Sequence, residues 1–199
     1  MDYNKPLDLP HAAEKTKWVD WVNLARAEKT ICKWITSFHP KKLPCQIASG
    51  FLNGSYNLGQ KFAFDDGTIW FLRLPRAGNI LPEYADEKVA MEVEALHLVR
   101  EKTSIPVPEI YAWGFAGENE HELGPFVLMS FIDGVCLRDV LGSDDGSRLL
   151  RGSVPGSDVE YIYRQMADCM LQLFKIDFDQ IGNLPTSITR FNVPCRPLT

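Results

Sequence analysis

Arg73 is a charged residue at a position where the sequence calls for an apolar one. It lies in the alternating run Ile69–Leu74 and shares its predicted strand face with Ile69 and Phe71. Burying an unpaired charge on an apolar face is too costly to keep, so such a cation needs a partner. We therefore expect Arg73 to bind a carboxylate or an anionic ligand.

A carboxylate that suits Arg73 is predicted on the following helix, from about Ala85 to Lys102. At about 100° per residue, the apolar residues of this segment form one stripe. The stripe consists of Val89, Val93, Leu96 and Val99. Glu92 falls inside the stripe, which makes it the unusual carboxylate. Glu94 falls on the polar side, so we interpret it as an ordinary solvated residue.

A glycine-punctuated loop precedes the strand that carries Arg73. The loop, Gly50–Asn57, leads into the apolar run Lys61–Phe64, and Asp65-Asp66-Gly67-Thr68 joins that run to the Arg73 strand. Asp-Gly between β-type runs predicts a hairpin, because Gly tolerates the positive φ of a tight turn. Taken alone, the loop could equally be a plain turn.

The other elements follow from apolar spacing and from turn residues. Residues 1–14 read as a loose polar arm, and the three Trp of the helical pattern over 15–38 read as core anchors rather than a ligand cage. Two strands are predicted over 109–115 and 125–131, a surface loop over 142–157, and a helix over 158–175 capped by Asp158. This order predicts an α+β fold, with an antiparallel sheet, a helix on one face and the start of a helical region.

Composition narrows the classes of protein. The 199 residues are 45% hydrophobic and 24% charged, which is ordinary for a soluble globular protein. A net charge of −5 argues against nucleic acid or an anionic membrane as a partner. The five Cys are odd in number and show no C-x-x-C spacing, so we expect reduced thiols rather than zinc or disulfides. The N-terminus has no apolar signal core, and no apolar run reaches the ~18 residues of a membrane span. A cytoplasmic location is the expectation.

Four stretches and the terminal RPLT together resemble the N-terminal part of the aminoglycoside phosphotransferase family, also called the phosphotransferase enzyme family, and its fungal-type members most. The stretches are GSYNLGQKFAFDDGTIWFLRLP, KVAMEVEALHLVREKTSIPVPEIYAW, FVLMSFIDGVCL and YRQMADCMLQLFKIDFDQIGNL. That family has a protein-kinase-like fold. The resemblance implies an N-terminal arm and helices over 1–48, a nucleotide-binding N-lobe with hinge over 49–132, and an incomplete helical C-lobe over 133–199.

The resemblance also implies roles for the charged pair and the loop. The loop, with Gly54, Ser55 and Asn57, would lie over the nucleotide phosphates. Arg73 would hold the α- and β-phosphates in place of the usual Lys, and Glu92 would pair with it. A structural ion pair with no ligand is the alternative for these two residues.

The predicted hinge is the segment Met129-Ser130-Phe131-Ile132. The resemblance implies that Met129, Ser130 and Ile132 contact the nucleotide, with backbone groups of Ser130 and Ile132 bonding the adenine edge. Considered alone, FVLMS could equally be a plain core strand.

The family's catalytic loop, H-G-D-x-x-x-x-N, has no match in this chain, since none of the four His is followed by Asp two residues later. A complete member would use ATP and Mg²⁺. Here we predict no catalytic residue and no metal ligand. The chain is then an ATP-dependent small-molecule phosphotransferase by family, inactive as it stands. The alternative is a non-catalytic nucleotide-binding or partner-binding module, and a structural remnant that binds nothing is a third reading.

Whether the chain is a truncated product or a stand-alone protein remains open at this point, although ending on RPLT favours truncation. The predicted partners are a nucleotide and a small-molecule acceptor that the sequence does not identify. The predicted helix over 158–175 carries a wide apolar face, formed by Ile162, Met166, Met170 and Phe174. A soluble monomer rarely exposes so much apolar surface, so we expect self-association or a marginally stable monomer.

Overall fold

The computed structural model describes residues 5–119, 121–143, 149–179 and 181–192, and for residues 5–12 it describes the backbone. These residues form an α+β fold with an antiparallel sheet, as the sequence predicts. They divide into two compact units. The first takes its described residues from 1–97, 108–131 and 182–199, and the second from 98–107 and 132–181.

Eleven helices and strands of the described residues are used below. They are α1 (Lys5–Ala27), α2 (Thr30–Phe38), β1 (Cys45–Ile47), β2 (Leu52–Asn53), β3 (Asn57–Phe64), β4 (Ile69–Pro75), α3 (Pro82–Lys102), β5 (Ile110–Gly114), β6 (Phe126–Ser130), α4 (Leu137–Leu141) and α5 (Gly156–Phe174). A short 3₁₀ turn, Ala116–Glu118, follows β5.

The sheet is built around the predicted hairpin. Among the described residues the strand order is β1-β3-β4-β6-β5, and β2 pairs with the first part of β3. All of these pairs are antiparallel. Gly67 has a φ of 84° in the β3–β4 turn, which is the positive φ that the Asp-Gly signal predicts. The Asp66 carboxylate stabilises this turn by accepting from the Thr68 N–H at 3.0 Å.

Helices α1 and α2 cover one face of the sheet. Trp18 and Trp34 are buried there against the β4 face that carries Trp70, Leu72 and Leu74. The Trp18 Nε1 also donates to the Leu123 carbonyl at 2.9 Å. The interpretation of these two Trp residues as core anchors is confirmed, whereas Trp21 is exposed.

Helix α3 covers the opposite face, so the sheet has helices against both faces rather than one. Val89 and Val93 of α3 are buried with Val127 and Met129 of β6. Phe71 of β4 packs against this second cluster. Arg73 therefore lies on the α3 side of the sheet, because it alternates in phase with Phe71 along β4.

The chain near the N-terminus differs from the predicted loose arm, because α1 already begins at Lys5. Pro6 is compatible with this start, since the first turn of a helix does not use its backbone N–H groups. The helical pattern over 15–38 is also interrupted at Lys29, which adopts a left-handed conformation with a φ of 57°. Residues 1–4 lie outside the described residues.

The second unit contains α4 and α5. Helix α5 begins at Gly156, with Pro155 at its N-cap, so the prediction of Asp158 as the cap is wrong. The predicted apolar side chains Met166, Met170 and Phe174 are exposed in the described chain, Phe174 to 85%. Self-association through this face stays a prediction. None of the described helices has the length and hydropathy of a membrane span.

Candidate functional site

The predicted pair of Arg73 and Glu92 is present at the interface of β4 and α3. Arg73 Nη1 donates to Glu92 Oε1 at 2.5 Å. The Arg73 side chain is 37% exposed and that of Glu92 is 18% exposed. Glu92 is thus the more buried partner, and Arg73 keeps an accessible part of its guanidinium. An arginine held in this way can bind an anion with its remaining N–H groups.

Asn57, at the start of β3, lies against the other side of the Arg73 guanidinium. With its amide oxygen turned to Arg73, Asn57 accepts from Nη2 at 2.9 Å and from Nε at 3.3 Å, and its amide nitrogen donates to the Tyr56 carbonyl at 3.3 Å. The cross-strand register places Asn57 opposite Pro75, two residues from Arg73 on the neighbouring strand. Asn57 and Glu92 together fix the direction of the Arg73 side chain.

The predicted loop forms a tight turn between β2 and β3. The Gly54 N–H donates to the Asn57 carbonyl at 2.9 Å. The segment 76–79 after β4, which we call the connector, contacts this turn. Arg76 Nη1 donates to the Gly54 carbonyl at 3.1 Å, and the Asn79 amide donates to the Ser55 carbonyl. Gly54 and Ser55 therefore contact the connector through their carbonyls, and Asn57 contacts Arg73 directly.

Lys88 is a site residue that the sequence reasoning missed. It precedes Glu92 by four residues on α3, and its ammonium lies 5.7 Å from the centroid of the Tyr56 ring. Burial lowers the pKa of Lys88, an effect that Glu92 opposes and Arg73 reinforces. Helical spacing could have found it, because residues four apart share a helix face. Two cations, Arg73 and Lys88, thus interact with the one carboxylate of Glu92.

Two aromatic rings, Phe71 and Phe131, lie on the same face of the sheet as Arg73 and farther along the strand. The Phe71 and Phe131 centroids are 6.0 Å apart, and the Lys61 ammonium lies 3.6 Å from the Phe131 centroid. Gly59 allows this arrangement, since a Cβ there would come within 2.1 Å of the Phe71 ring. Ile69 lies four positions before Arg73 on β4, and its carbonyl accepts from the Phe131 N–H at 3.2 Å. The rings therefore extend about 13 Å along the strand from the cation.

The three predicted hinge residues, Met129, Ser130 and Ile132, differ in their burial. Met129 is buried beneath α3. Backbone groups of Ser130 are expected at the adenine edge, and its N–H donates to the Glu109 carbonyl at 2.8 Å. Ile132 is exposed and belongs to the second unit. The nucleotide contacts of these residues stay predictions.

A family model described as the phosphotransferase enzyme family matches residues 45–182, which is more than half of the chain. The chain belongs to the phosphotransferase enzyme family. The matched residues include Asn57, Arg73, Lys88 and Glu92, so the charged cluster lies within the family domain. No curated protein matches the chain. The α+β fold agrees with the kinase-like N-lobe that this membership implies, and the family's name indicates phosphoryl transfer as its chemistry.

The expectation that Glu94 is solvated is wrong for this family member. The Glu94 side chain is buried, and its carboxylate accepts hydrogen bonds from Ile188 and Thr189. Helical spacing correctly places Glu94 on a different side of α3 from Val89 and Val93. The burial has a different origin, because residues 182–192 cover that side of α3, and the partners Ile188 and Thr189 lie 94 and 95 positions later in the chain. No local pattern around Glu94 signals this contact.

Proposed function

We propose that the cluster of Asn57, Arg73, Lys88 and Glu92 is a nucleotide phosphate site. The observation that carries the proposal is the partly exposed Arg73, which Glu92 and Asn57 orient and which has the second cation, Lys88, nearby. Because two cations interact with one carboxylate, this cluster favours an anionic ligand. A guanidinium also suits phosphate, since it can donate two parallel hydrogen bonds.

The aromatic surface of Phe71 and Phe131 supports a nucleotide over a simple anion. It lies on the same face of the sheet as Arg73. A flat apolar base can pack on aromatic rings while its phosphates reach the cation farther along the strand. The sequence resemblance implies an ATP-dependent reaction, so ATP or ADP is the proposed ligand.

The donor groups of this cluster fit the phosphates of ATP. In the part of the chain that the structure describes, there is no group of three or more His, Cys, Asp or Glu side chains that could hold a metal ion. We propose no Mg²⁺ ligand and no catalytic residue among these described residues. When bound, ATP would supply the phosphoryl group that the family transfers.

Phosphoryl transfer to a small hydroxyl acceptor is the reaction proposed for the family chemistry, and inactivity is proposed for this chain by itself. The 199 residues contain no H-G-D-x-x-x-x-N motif, which would position the acceptor hydroxyl and a metal. A nucleotide-binding or partner-binding module without catalysis is therefore the second candidate function. We also propose the cytoplasm as its location, because free Cys32 and Cys45 suit a reducing compartment.

Calorimetric titration of the chain with ADP and with ATP tests the proposed site. Arg73→Ala should weaken binding by about tenfold or more, since a hydrogen bond to a charged group contributes roughly 1.5–3 kcal/mol. Arg100→Ala is the matched control, because it removes an exposed arginine from the end of α3. Absence of saturable binding to the unmodified chain, or equal effects of the two variants, would refute the proposal.

The proposed inactivity has its own experiment. The purified chain is incubated with Mg-ATP and a panel of aminoglycosides, choline-like alcohols and sugars, and product formation is followed with labelled γ-phosphate. We expect no transfer above the protein-free background. Turnover that a single substitution in this chain abolishes would show that a catalytic group has been overlooked.

A further inference from the structure

Helix α3 has a second charged side, formed by Glu87 and Glu94. Both side chains are almost completely buried, at 3% and 4% exposure. They are seven residues apart, about two turns, so they lie on the same side of the helix. A buried carboxylate is tolerated only when hydrogen bonds compensate for its lost hydration. Residues 182–192, which we call the strap, donate hydrogen bonds to both carboxylates.

The strap closes around the Glu94 carboxylate. Glu94 Oε1 accepts from the Thr189 N–H at 2.7 Å, from the Thr189 hydroxyl at 2.8 Å and from the Ile188 N–H at 3.0 Å. The turn that presents these donors is closed by the Arg190 N–H, which donates to the Thr186 carbonyl at 2.9 Å. These three hydrogen bonds from one turn compensate for the lost hydration of the buried Glu94 carboxylate.

Two further contacts fasten the strap on either side of this turn. The Asn183 amide donates to Glu87 Oε1 at 3.0 Å. Beyond the turn, the Phe191 ring lies 5.1 Å from that of Phe115, which follows β5. The strap therefore contacts both α3 and the segment after the edge strand β5.

The strap and Arg73 contact nearly opposite sides of α3. Glu92 precedes Glu94 by two residues, which corresponds to about 200° around the helix axis. Val89 and Val93, which face the sheet, lie between these two sides. A rotation or shift of α3 that moves Glu92 away from Arg73 would also have to break the Glu94 bonds to the strap.

We propose that the strap sets the rotation of α3 and so keeps Glu92 on Arg73, with Asn183 and Thr189 as positioning residues. An engaged strap gives an oriented Arg73 and high nucleotide affinity. A released strap lets α3 turn and leaves Arg73 without Glu92. The effect on affinity rests on the proposed nucleotide site, whereas the effect on the ion pair does not.

The first experiment reads the ion pair without any nucleotide. In the ¹⁵N-arginine-labelled chain, the Arg73 guanidinium signals are assigned with Arg73→Lys and compared with those of a Glu92→Gln variant. The double variant Asn183→Ala/Thr189→Val should move the Arg73 signals toward their Glu92→Gln positions. Thr189→Ser, which keeps the hydroxyl donor, should leave them unchanged, as should Ser187→Ala at an exposed strap position.

A control for simple destabilisation is Val22→Ala, because Val22 is buried on the opposite face of the sheet. It should lower the melting temperature without moving the Arg73 signals. If the strap variant also lowers the melting temperature but leaves the Arg73 signals in place, the strap only stabilises the unit and the proposal is overturned.

The second experiment couples the strap to ligand binding. The double strap variant should weaken ADP binding by about fivefold, a typical size for coupling between two sites. In the Glu92→Gln background, the same two substitutions should change the affinity by less than about twofold, since the strap acts through Glu92. Equal losses in both backgrounds would contradict the proposal. If the unmodified chain binds no nucleotide, the nucleotide site fails while the Arg73 signals still decide the role of the strap.

Discussion

Helices α3 and α5 are similar in length, but they differ in how their side chains are covered. On α3, Val89 and Val93 are buried against the sheet, and Glu87, Glu92 and Glu94 each have a hydrogen-bond partner. On α5, the large apolar side chains are exposed, and the ion pair of Glu160 with Arg164 is also at the surface. Packing therefore fixes the position of charged groups on α3, which is why a binding site can be argued there.

The two helices differ in burial mainly because different elements pack around them, and less because of their own sequences. The buried side of α3 is created by β4, β6 and the strap, all within the first unit. The described residues of the second unit leave most of the apolar side of α5 open. Side chains held in fixed positions can select a ligand. Exposed apolar side chains without neighbours, as on α5, show only that this face of the helix is apolar.

The largest expected contrast is the cost of removing apolar side chains from the two units. Leu72→Ala, inside the sheet of the first unit, should lower the free energy of unfolding by about 2–5 kcal/mol, because it leaves a cavity in a closed core. Met170→Ala on α5 should change it by roughly 0.5 kcal/mol or less. Chemical denaturation of the two variants at the same protein concentration measures both losses.

An equal loss of unfolding free energy in Met170→Ala would contradict this expected difference between the two units. It would show that the α5 face is covered in solution, as the self-association expected from the sequence requires. Sedimentation across a concentration series would then show whether a second copy provides the cover.

The buried and exposed carboxylates give the next contrast. Glu94→Ala removes the acceptor for three donors of the strap, and unsatisfied buried groups cost about 1–3 kcal/mol each, so we expect a loss in this range or above. Glu160→Ala removes an exposed i,i+4 ion pair and should cost only about 0.3–0.5 kcal/mol. Denaturation of the two variants side by side checks the ratio, and equal losses would mean that the strap contact contributes nothing in solution.

Two glycines, Gly59 in the first unit and Gly152 in the second, test the same difference in packing. Gly59→Ala should destabilise the chain by about 1–3 kcal/mol, since the new Cβ would overlap the Phe71 ring in the packed first unit. Gly152→Ala in the second unit meets nothing within 4 Å and should be neutral within about 0.5 kcal/mol. A neutral Gly59→Ala would show that the Phe71 ring moves freely and provides no fixed surface for a base.

The sequence predicts the local parts of the site well. Alternation along β4 placed Arg73, and helical spacing placed Glu92, because both periodicities depend on residues a few positions apart. The same reasoning failed for Glu94, whose partners Ile188 and Thr189 are distant in sequence. Lys88 was overlooked although its spacing from Glu92 was visible, since nothing in the sequence shows that α3 turns this side toward Asn57 and Tyr56.

The smallest expected effect is the pH dependence of nucleotide affinity. Lys88 has a pKa below the ordinary lysine value of about 10.4, and binding a phosphate requires its charged form. Affinity should therefore be full below the Lys88 pKa and fall as the pH rises through it, at lower pH than for an ordinary lysine. Lys88→Met should remove the fall. Tyr56→Phe is the control, because the Tyr56 ring lies beside Lys88 and the variant keeps the ring.

Glu92→Gln separates two roles of the carboxylate within the site. If Glu92 orients Arg73, the substitution should weaken ADP binding by about threefold, less than Arg73→Ala, because the cation remains but is less well directed. Calorimetry under the same conditions as for Arg73→Ala measures the difference. Tighter binding would show instead that Glu92 competes with the ligand for the guanidinium.

The central claim, that Arg73 binds the nucleotide phosphates, is tested most directly by titrating the ¹⁵N-arginine-labelled chain with ADP. We expect the Arg73 guanidinium signals to shift and to saturate with the affinity found by calorimetry, while those of Arg100 stay in place. Saturable binding of ADP that leaves the Arg73 signals unchanged would place the nucleotide elsewhere and contradict the account.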